Sequence, residues 1–385
     1  MTPAINEKRM VQLFCDLARI TSLSGKEGAI ARRLSILLKF MGAEVHIDDA
    51  GRKIGGETGN LIARFAGTGP GAPFLLSAHM DTVGPAANIR PQLHKDRITS
   101  DGTTVLGADC KAGIAIIIET IKALEENKIP HPPVELVFTI SEEMALMGAK
   151  FLDYSKLRSR YGLIFDNEQT LENVIVSAPA ADKMDIKVYG LAAHAGVAPE
   201  KGISAIKVVA GALAGMKLGR IDAQTTANIG FISGGNAINI IPAAVELSGE
   251  ARSHNPASLK KQVRHMEDCL KKAVKRTRVR SGGRLVSPSY EFLVERKFPN
   301  FLIEKTNPVL ALVARAMRAE GLKMKPSVSG GGTDGNIMYG HGIKAPILAT
   351  GMREVHTTRE YLDLKDFFGC ARLTMRVIAG LCDAA

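Results

Sequence analysis

Acidic residues and histidines of the kind that bind metal ions follow short apolar runs at several points in this chain. They are His79 and Asp81 in LLSAHMDTVG, Asp109 in VLGADCKAG, Glu142 and Glu143 in LVFTISEEMALMG, Asp166 in YGLIFDNE, and His356 in ILATGMREVHTT. Each run precedes a turn or a helix-like stretch. Open α/β sheets gather ligands there, outside the carboxyl ends of their strands. The set predicts a metal centre.

The types of ligand in this set indicate which ions it would hold. Neutral imidazole and carboxylate oxygens suit zinc and similar divalent ions such as cobalt or manganese. The set exceeds what a single tetrahedral zinc needs, so a pair of ions is expected. A carboxylate between two ions about 3.5–4 Å apart would bridge them, and a shared water would become acidic enough to act as a nucleophile near neutral pH.

Two closely spaced pairs suggest how the work is divided. Glu142 and Glu143 are adjacent, so in a turn one can bind metal while the other acts as a general base toward water. His79 and Asp81 are two residues apart. On an extended segment this spacing puts both side chains on one face, where the carboxylate can orient a ligating imidazole.

The elements around these residues alternate between strand and helix. Residues 73–78 are predicted to form a strand that ends before His79, 111–127 a helix, and 134–140 a buried strand. The same patterns predict helices at 6–19 and 26–41 and strands at 44–47, 60–65 and 161–165. A β-α-β unit favours an α/β fold whose central sheet is mostly parallel.

The character of the sequence changes near 178–183. The patterns that follow predict strands at 184–189, 226–232, 245–251 and 285–292 and helices at 204–217 and 256–276. This order is typical of an α+β, ferredoxin-like domain. Because metal-type residues resume only at His356, we expect a discontinuous catalytic domain of residues 1–177 and 292–385, with an inserted domain at 178–291.

Composition is that of a globular protein with room for two domains. The chain has 385 residues, 45% of them hydrophobic. No apolar run approaches the roughly 20 residues of a membrane-spanning helix, and the N-terminus lacks the plan of a secretory signal. The five cysteines are scattered and form no CxxC pair, which predicts reduced thiols. We therefore expect a cytoplasmic protein with no membrane partner.

The formal net charge of +11 raises the alternative of a basic protein that binds polyanions without catalysis. Lysines and arginines crowd residues 260–280, but no aromatic residues lie among them. Apolar residues recur there at helical spacing, which favours an amphipathic helix with a solvated basic face. A nucleic-acid partner is not expected.

The motifs, taken together and in order, resemble the M20 family of co-catalytic dizinc peptidases and deacylases, and within it the peptidase T-like members. The matching motifs are SAHMDTV, GADCKAG, TISEE, FDN and VHT, together with GLAAHAG, GGNAINIIP, GEARS and GGGTDGN. The resemblance covers nearly the whole chain. It implies two zinc ions, one bound by His79, Asp109 and Asp166 and the other by Asp109, Glu143 and His356.

The resemblance also implies roles for residues outside the two metal sites. Glu142 would be the general base, and Asp81 would orient His79. His194, in the inserted lid domain, would stabilise the oxyanion within its own subunit or across a dimer. Substrate contacts are implied for Arg252, Asn236 and Gly331. From the residues alone, His194 could be an ordinary loop histidine and Arg252 an ordinary salt-bridge residue.

One residue departs from the family pattern. After the bridging aspartate, relatives commonly carry Asp or Asn, often with a cis peptide at that bond, whereas this chain has Cys110. Two interpretations stay open: a small buried replacement, or a thiolate exposed beside the metal ions.

The function implied is hydrolysis of short peptides by an exopeptidase similar to tripeptide aminopeptidase. The resemblance also implies that this chain forms a homodimer through the lid. Asp166 is compatible with both the peptidase and the aminoacylase branches. The alternative is therefore an N-acyl-amino-acid amidohydrolase on the same metal centre.

Overall fold

The computed structural model describes residues 4–383, which form two compact units. The first contains the chain up to Ala178 and from Phe301 onward, and the second is Pro179–Asn300. No helix among the described residues is long and apolar enough to cross a membrane.

Both units contain helices and strands. Up to Ala178 they are α1 (Glu7–Ala18), α2 (Gly28–Phe40), β1 (Glu44–Ile47), α3 (Ala50–Ile54), β2 (Leu61–Phe65), β3 (Phe74–His79), β4 (Gln92–Leu93), β5 (Arg97–Thr99), α4 (Ala108–Glu126), β6 (Val134–Thr139), α5 (Met147–Phe151), β7 (Tyr161–Asn167) and β8 (Asn173–Ala178). The second unit contains β9 (Ala180–Tyr189), α6 (Ala205–Gly215), β10 (Gly219–Arg220), β11 (Thr225–Gly234), β12 (Ala244–Ser253), α7 (Pro256–Arg276), β13 (Val279–Ser281), β14 (Arg284–Val286) and β15 (Ser289–Phe298). The first unit then resumes with β16 (Phe301–Leu302), α8 (Pro308–Ala319), β17 (Lys325–Val328), α9 (Asp334–Gly340), β18 (Ile347–Ala349), β19 (Met352–Arg353), β20 (Tyr361–Asp363) and α10 (Leu364–Cys382).

The central sheet of the first unit is mixed, in the order β1-β2-β6-β3-β7-β18-β8-β16, with β17 paired to β8. At its centre β3 runs parallel to β6 and β7, and β7 runs parallel to β18. Toward the edges, β2 is antiparallel to both β1 and β6, and β8 is antiparallel to β16 and β18. The expectation of a mostly parallel sheet was therefore wrong: the sheet is mixed, although β17 also runs parallel to β8. The crossover through α4 fixes the direction of β3 and β6 only, because the other strands are joined by different connections.

The parallel centre of the sheet is the core of this unit. Every residue of β3 and β6 is buried, as is typical of strands with both faces covered. Helix α4 packs against β3, β7 and α10 and is buried along most of its length. The carboxyl ends of β3, β6 and β7 therefore lie together at one end of this buried core.

The second unit is an antiparallel sheet, β10-β11-β12-β9-β15, packed against α6 and α7. Helix α7 has the predicted bounds. The single strand predicted at 285–292 was wrong, because the chain forms β14 and then β15 on either side of Ser287 and Pro288. Proline lacks the N–H that a continuous ladder needs at this point. A turn at Gly282 and Gly283, both with positive φ, pairs β14 with β13 instead.

Candidate metal centre

The predicted ligands of the first unit converge at the carboxyl ends of the central strands of its sheet. His79 is the last residue of β3, Glu142 and Glu143 follow β6, and Asp166 lies at the end of β7. These three strands are parallel neighbours, so their carboxyl ends meet. Asp109 joins them from the first turn of α4, where its backbone is not helical.

The carboxylate of Asp109 lies between two histidines. Its Oδ1 is 2.9 Å from Nε2 of His79, and its Oδ2 is 3.2 Å from Nε2 of His356. Each histidine also faces a second carboxylate: His356 Nε2 is 2.8 Å from Glu143 Oε1, and His79 Nε2 is 3.9 Å from Asp166 Oδ1. The arrangement forms two donor sets that share Asp109.

Both donor sets have the composition and size of a divalent metal site. Donor atoms of His79, Asp109 and Asp166 lie within 4.8 Å of one another, and so do those of Asp109, Glu143 and His356. Imidazole nitrogen and carboxylate oxygen are donors that zinc, cobalt and manganese share. The residues therefore fit a pair of divalent ions bridged by Asp109.

The buried carboxylates of this cluster repel one another. Burial and the neighbouring Asp166 raise the pKa of Glu142 well above its usual range, and burial and Asp109 raise the pKa of Asp166 to about 8. Burial acts in the same direction on Asp109, but hydrogen bonds to His356 and His79 hold the pKa of Asp109 below its usual range. A divalent cation at this place would relieve the repulsion.

Asp81 holds two parts of the cluster at once. Nδ1 of His79 lies 2.9 Å from the backbone oxygen of Asp81 and 3.3 Å from its Oδ1, which leaves Nε2 to face Asp109. The fully buried carboxylate of Asp81 also accepts backbone N–H groups from Glu142 (3.0 Å) and Glu143 (3.2 Å) and the Ser24 hydroxyl (2.7 Å). Asp81 therefore positions the two glutamates as well as the histidine.

Two further acidic residues, which sequence analysis missed, hold the backbone of the centre. Glu360 accepts N–H groups from Leu106 (2.6 Å), Gly107 (2.8 Å) and Asp109 (3.0 Å). Glu27 accepts the N–H of Ser141 at 2.9 Å, where φ is +46° immediately before Glu142. Both contacts join distant parts of the chain, so no local pattern in the sequence marks them.

Cys110 is a buried thiol. Its side chain donates a hydrogen bond to the backbone oxygen of Phe165 and has no exposed surface. Burial raises the pKa of Cys110 well above its usual value, so the thiol stays protonated. The structure therefore supports the buried replacement and not the exposed thiolate. The Asp109–Cys110 peptide bond is cis, as the resemblance implied.

A cavity of about 390 Å³ adjoins the centre. Its walls are formed by Asp109, Glu142, Glu143, Asp166–Gln169, Ile175, Val328–Thr333, Met352, Val355 and His356. Gly331 is part of this wall, and its N–H is bonded to Ser329 Oγ at 3.0 Å. The structure thus brings Gly331 to the metal centre.

His194 and Asn236 belong to the second unit. His194 is exposed, forms an antiparallel bridge with Ile240, and accepts the N–H of Gly196 on Nδ1 at 3.2 Å. Its Nε2 therefore carries the proton in this tautomer. The bridge joins the loop of His194 to the loop that contains Asn236. Their roles in catalysis stay predictions.

Arg252 lies on β12 of the second unit and forms an ion pair on its own strand. Its Nε is 3.0 Å from Glu250 Oε1, and its Nη2 is 3.1 Å from Glu250 Oε2. A substrate carboxylate at this guanidinium would compete with Glu250. The substrate-binding role of Arg252 also stays a prediction.

Comparison with known proteins gives one family. The sequence model of Peptidase family M20/M25/M40 matches residues 75–380. An uncharacterized protein of Bacillus subtilis, YqjE, is 37% identical over 97% of this chain and 98% of its own. A crystal structure of the aminopeptidase PepT from Bacillus cereus is 36% identical, with a TM-score of 0.90 over 98% of this chain and 99% of its own. A tripeptidase from Staphylococcus aureus is 35% identical, with a TM-score of 0.93 and the same coverage.

These matches extend over the elements that carry the two donor sets, from β3 to His356. The chain therefore belongs to peptidase family M20/M25/M40 and is a metallopeptidase of the peptidase T-like kind.

Proposed function

We propose that this protein is an exopeptidase that hydrolyses short peptides, tripeptides among them, on a pair of divalent metal ions. The observation that carries the proposal is the placement of Asp109 between His79 and His356. The names of the two similar crystal structures, an aminopeptidase and a tripeptidase, support the choice of substrate.

The proposed ligands are the two donor sets described above. One ion would be held by His79, Asp109 and Asp166, and the other by Asp109, Glu143 and His356. Zinc is the proposed metal, with cobalt or manganese as substitutes. When bound, such ions polarise a carbonyl oxygen and lower the pKa of water.

Glu142 is proposed as the general base. Its raised pKa lets the carboxylate take a proton from the attacking water and then give that proton to the nitrogen of the leaving amine, as the C–N bond breaks. Asp81 is a positioning residue in this scheme, because it fixes the backbone N–H groups of both glutamates and orients His79.

For the second unit, the proposal follows the family resemblance. Residues 178–291 would serve as a lid and as the surface of a homodimer. His194 would donate an N–H to the oxyanion, and Arg252 and Asn236 would bind the substrate. Gly331, in the wall of the metal-centre cavity, is proposed as a further substrate contact. The cytoplasmic location stays a prediction.

An N-acyl-amino-acid amidohydrolase on the same metal centre is the alternative, since Asp166 suits both branches. Assays with Ala-Ala-Ala and with N-acetylmethionine separate the two. Turnover of the acylated substrate alone would contradict the peptidase proposal. A polyanion-binding function is disfavoured, because charge on α7 is partly neutralised within the helix, where Lys271 lies 2.9 Å from Glu267.

Replacing Glu142 tests the proposed mechanism. We expect Glu142→Gln to lower kcat for Ala-Ala-Ala by about 100- to 10,000-fold, the usual contribution of a general base. Metal content should be largely retained, because Glu142 belongs to neither proposed ligand set. The measurements are steady-state kinetics and elemental analysis of the purified protein. Glu125→Gln, at an exposed position on α4, is the control. A Glu142→Gln variant as active as the parent would refute the assignment.

A further inference from the structure

The wall of the metal-centre cavity contains one acidic side chain that neither proposed ligand set nor the general base uses. Among the described residues that line the cavity, the acidic ones are the proposed ligands Asp109, Glu143 and Asp166, together with Glu142 and Glu168. The segment Val328–Thr333, which also lines the cavity, carries no charged side chain. A ligand in this cavity therefore meets one carboxylate, that of Glu168, which has no proposed role in metal binding or proton transfer.

The position of Glu168 is set by the strand that carries Asp166. Strand β7 ends at Asn167, so Glu168 is the first residue after the strand and follows Asp166 by two positions. The Asn167 side chain fixes the segment, because it donates to Asn173 O and accepts the N–H of Gln169, both at 3.0 Å. Glu168 thus lines the same cavity as the proposed metal ligand Asp166, and its Cα lies no more than about 7 Å from that of Asp166.

The carboxylate of Glu168 is available to a ligand. Its side chain is exposed, and within residues 4–383 no hydrogen bond or ion pair engages it. Glu172, four residues further on, contrasts with it, since its carboxylate lies 3.7 Å from Lys325 Nζ and outside the cavity.

A carboxylate that lines the same cavity as the proposed metal ligands fits one feature of an aminopeptidase substrate. In a peptide with a free N-terminus, the α-ammonium group is separated from the scissile carbonyl carbon by a single carbon atom. When that carbonyl lies at the metal centre, the ammonium group lies one residue's length away or less. An N-acylated substrate carries no cation there.

We infer that Glu168 binds the free α-ammonium group of the substrate and so selects peptides over N-acylated amino acids. The inference rests on the proposed function and makes it more specific. In this chain, the charge at position 168 would decide between peptidase and N-acyl-amino-acid amidohydrolase specificity. The other residues that line the cavity would then contact the side chain of the substrate's N-terminal residue.

The test compares two peptides that differ only in the amine: Ala-Ala-Ala and propionyl-Ala-Ala. We expect the parent enzyme to prefer Ala-Ala-Ala. Glu168→Gln should lower kcat/KM for Ala-Ala-Ala by about tenfold or more, the effect of removing one partner of a charged contact in a partly closed site. It should leave kcat/KM for propionyl-Ala-Ala nearly unchanged. Glu168→Asp keeps the charge and should recover part of the preference, whereas Glu172→Gln is the matched control and should behave as the parent.

A binding measurement complements the kinetics. In the Glu142→Gln background, which we expect to bind without turnover, calorimetric titration gives the Kd of each peptide. Adding Glu168→Gln should weaken binding of Ala-Ala-Ala and not of propionyl-Ala-Ala. If the parent cleaves Ala-Ala-Ala and Glu168→Gln keeps its full preference for the free amine, the inference is wrong and the proposed function stands. If the parent cleaves neither peptide, the proposed function fails, and the inference fails with it.

Discussion

At the residue scale, the centre depends on carboxylates that play different parts because their surroundings differ. Asp109 faces two histidines, so its charge is favoured despite burial. Asp81 is also buried, but its carboxylate oxygens accept hydrogen bonds from N–H and hydroxyl groups. These bonds suit it to holding its neighbours in place. Glu142 is buried and faces other carboxylates, and both burial and the neighbouring Asp166 raise its pKa. Residue type alone does not distinguish these roles.

Cys110 provides a test at this scale. Because the thiol is buried, protonated and bonded to Phe165 O, a serine hydroxyl can take over the same donor role. One neutral hydrogen bond is worth about 1 kcal/mol, so Cys110→Ser should change kcat/KM by less than about tenfold. Metal content should stay the same.

Thiol labelling of the native protein with a bulky disulfide reagent checks the burial directly. Among the five cysteines, only Cys382 has appreciable exposure, so about one thiol per chain should react quickly. Rapid labelling of Cys110 accompanied by loss of metal would contradict the structure.

At the element scale, the sequence predicts the helices and strands that place the ligands better than it predicts how the strands pair in the sheet. The strand at 134–140 and the helix at 111–127 are confirmed, because a buried strand and a long apolar helix have clear local patterns. Helix α7 begins where Asn255 caps it and Pro256 occupies its first turn, which are local signals too. Strand direction away from the β3-α4-β6 crossover depends on long-range pairing, and so the mixed sheet was not foreseen.

The same limit explains which parts of the centre could be predicted. The motifs predict five ligands, and the structure brings them together: His79, Asp109, Glu143, Asp166 and His356. The role of Glu360 could not be predicted from the sequence, because its partners lie some 250 residues earlier in the chain. Only the folded protein puts its carboxylate against the loop that precedes α4.

Glu360 therefore supplies a prediction about elements. It joins the segment before α10 to the first turn of α4, and Glu360→Ala would leave three buried N–H groups without an acceptor. Each such group costs about 1–3 kcal/mol, so we expect a loss of unfolding free energy of at least that size. Weaker metal binding should accompany it, because Asp109 loses its support. Urea denaturation and metal titration measure the two effects.

The control is Glu360→Gln, which keeps one acceptor oxygen and should fall between the parent and the alanine variant. A Glu360→Ala protein as stable as the parent, with the same metal affinity, would show that the loop before α4 holds its shape without this contact.

At the scale of the whole molecule, the distribution of charge matters more than its sum. The chain carries a formal charge of +11, yet its most deeply buried ionisable groups include the cluster of carboxylates at the ends of the central strands. Surface lysines and arginines contribute little to the energy of that cluster, because solvent screens them. The folded protein without metal must therefore keep protons on some of these acids.

This retention of protons predicts how the stability of the metal-free protein depends on pH. Burial raises the pKa of Asp166 to about 8, that of Glu360 to about 7 and that of Asp334 to about 6, whereas carboxyls in the unfolded chain titrate near 4. Between pH 5 and 7 the folded state therefore binds more protons than the unfolded state, and stability must fall as pH rises. His356 acts in the same direction above its usual pKa, since hydrogen bonds to Asp109 and Glu143 raise its pKa to about 10. Lys111 opposes the trend only above pH 7, because burial lowers its pKa to about 7.

We expect the Tm of the EDTA-treated protein to decrease from pH 5 to pH 7, as measured by differential scanning fluorimetry. The gain in Tm on adding zinc or manganese should increase over the same range, because metal ions bind deprotonated carboxylates and displace their protons. Asp166→Asn removes one of the titrating groups, so the metal-free variant should show a shallower slope. A Tm that is flat or rising between pH 5 and 7 without metal would mean that these acids are already ionised in the folded state. The cluster would then not require cations, because the fold would tolerate its charge without them.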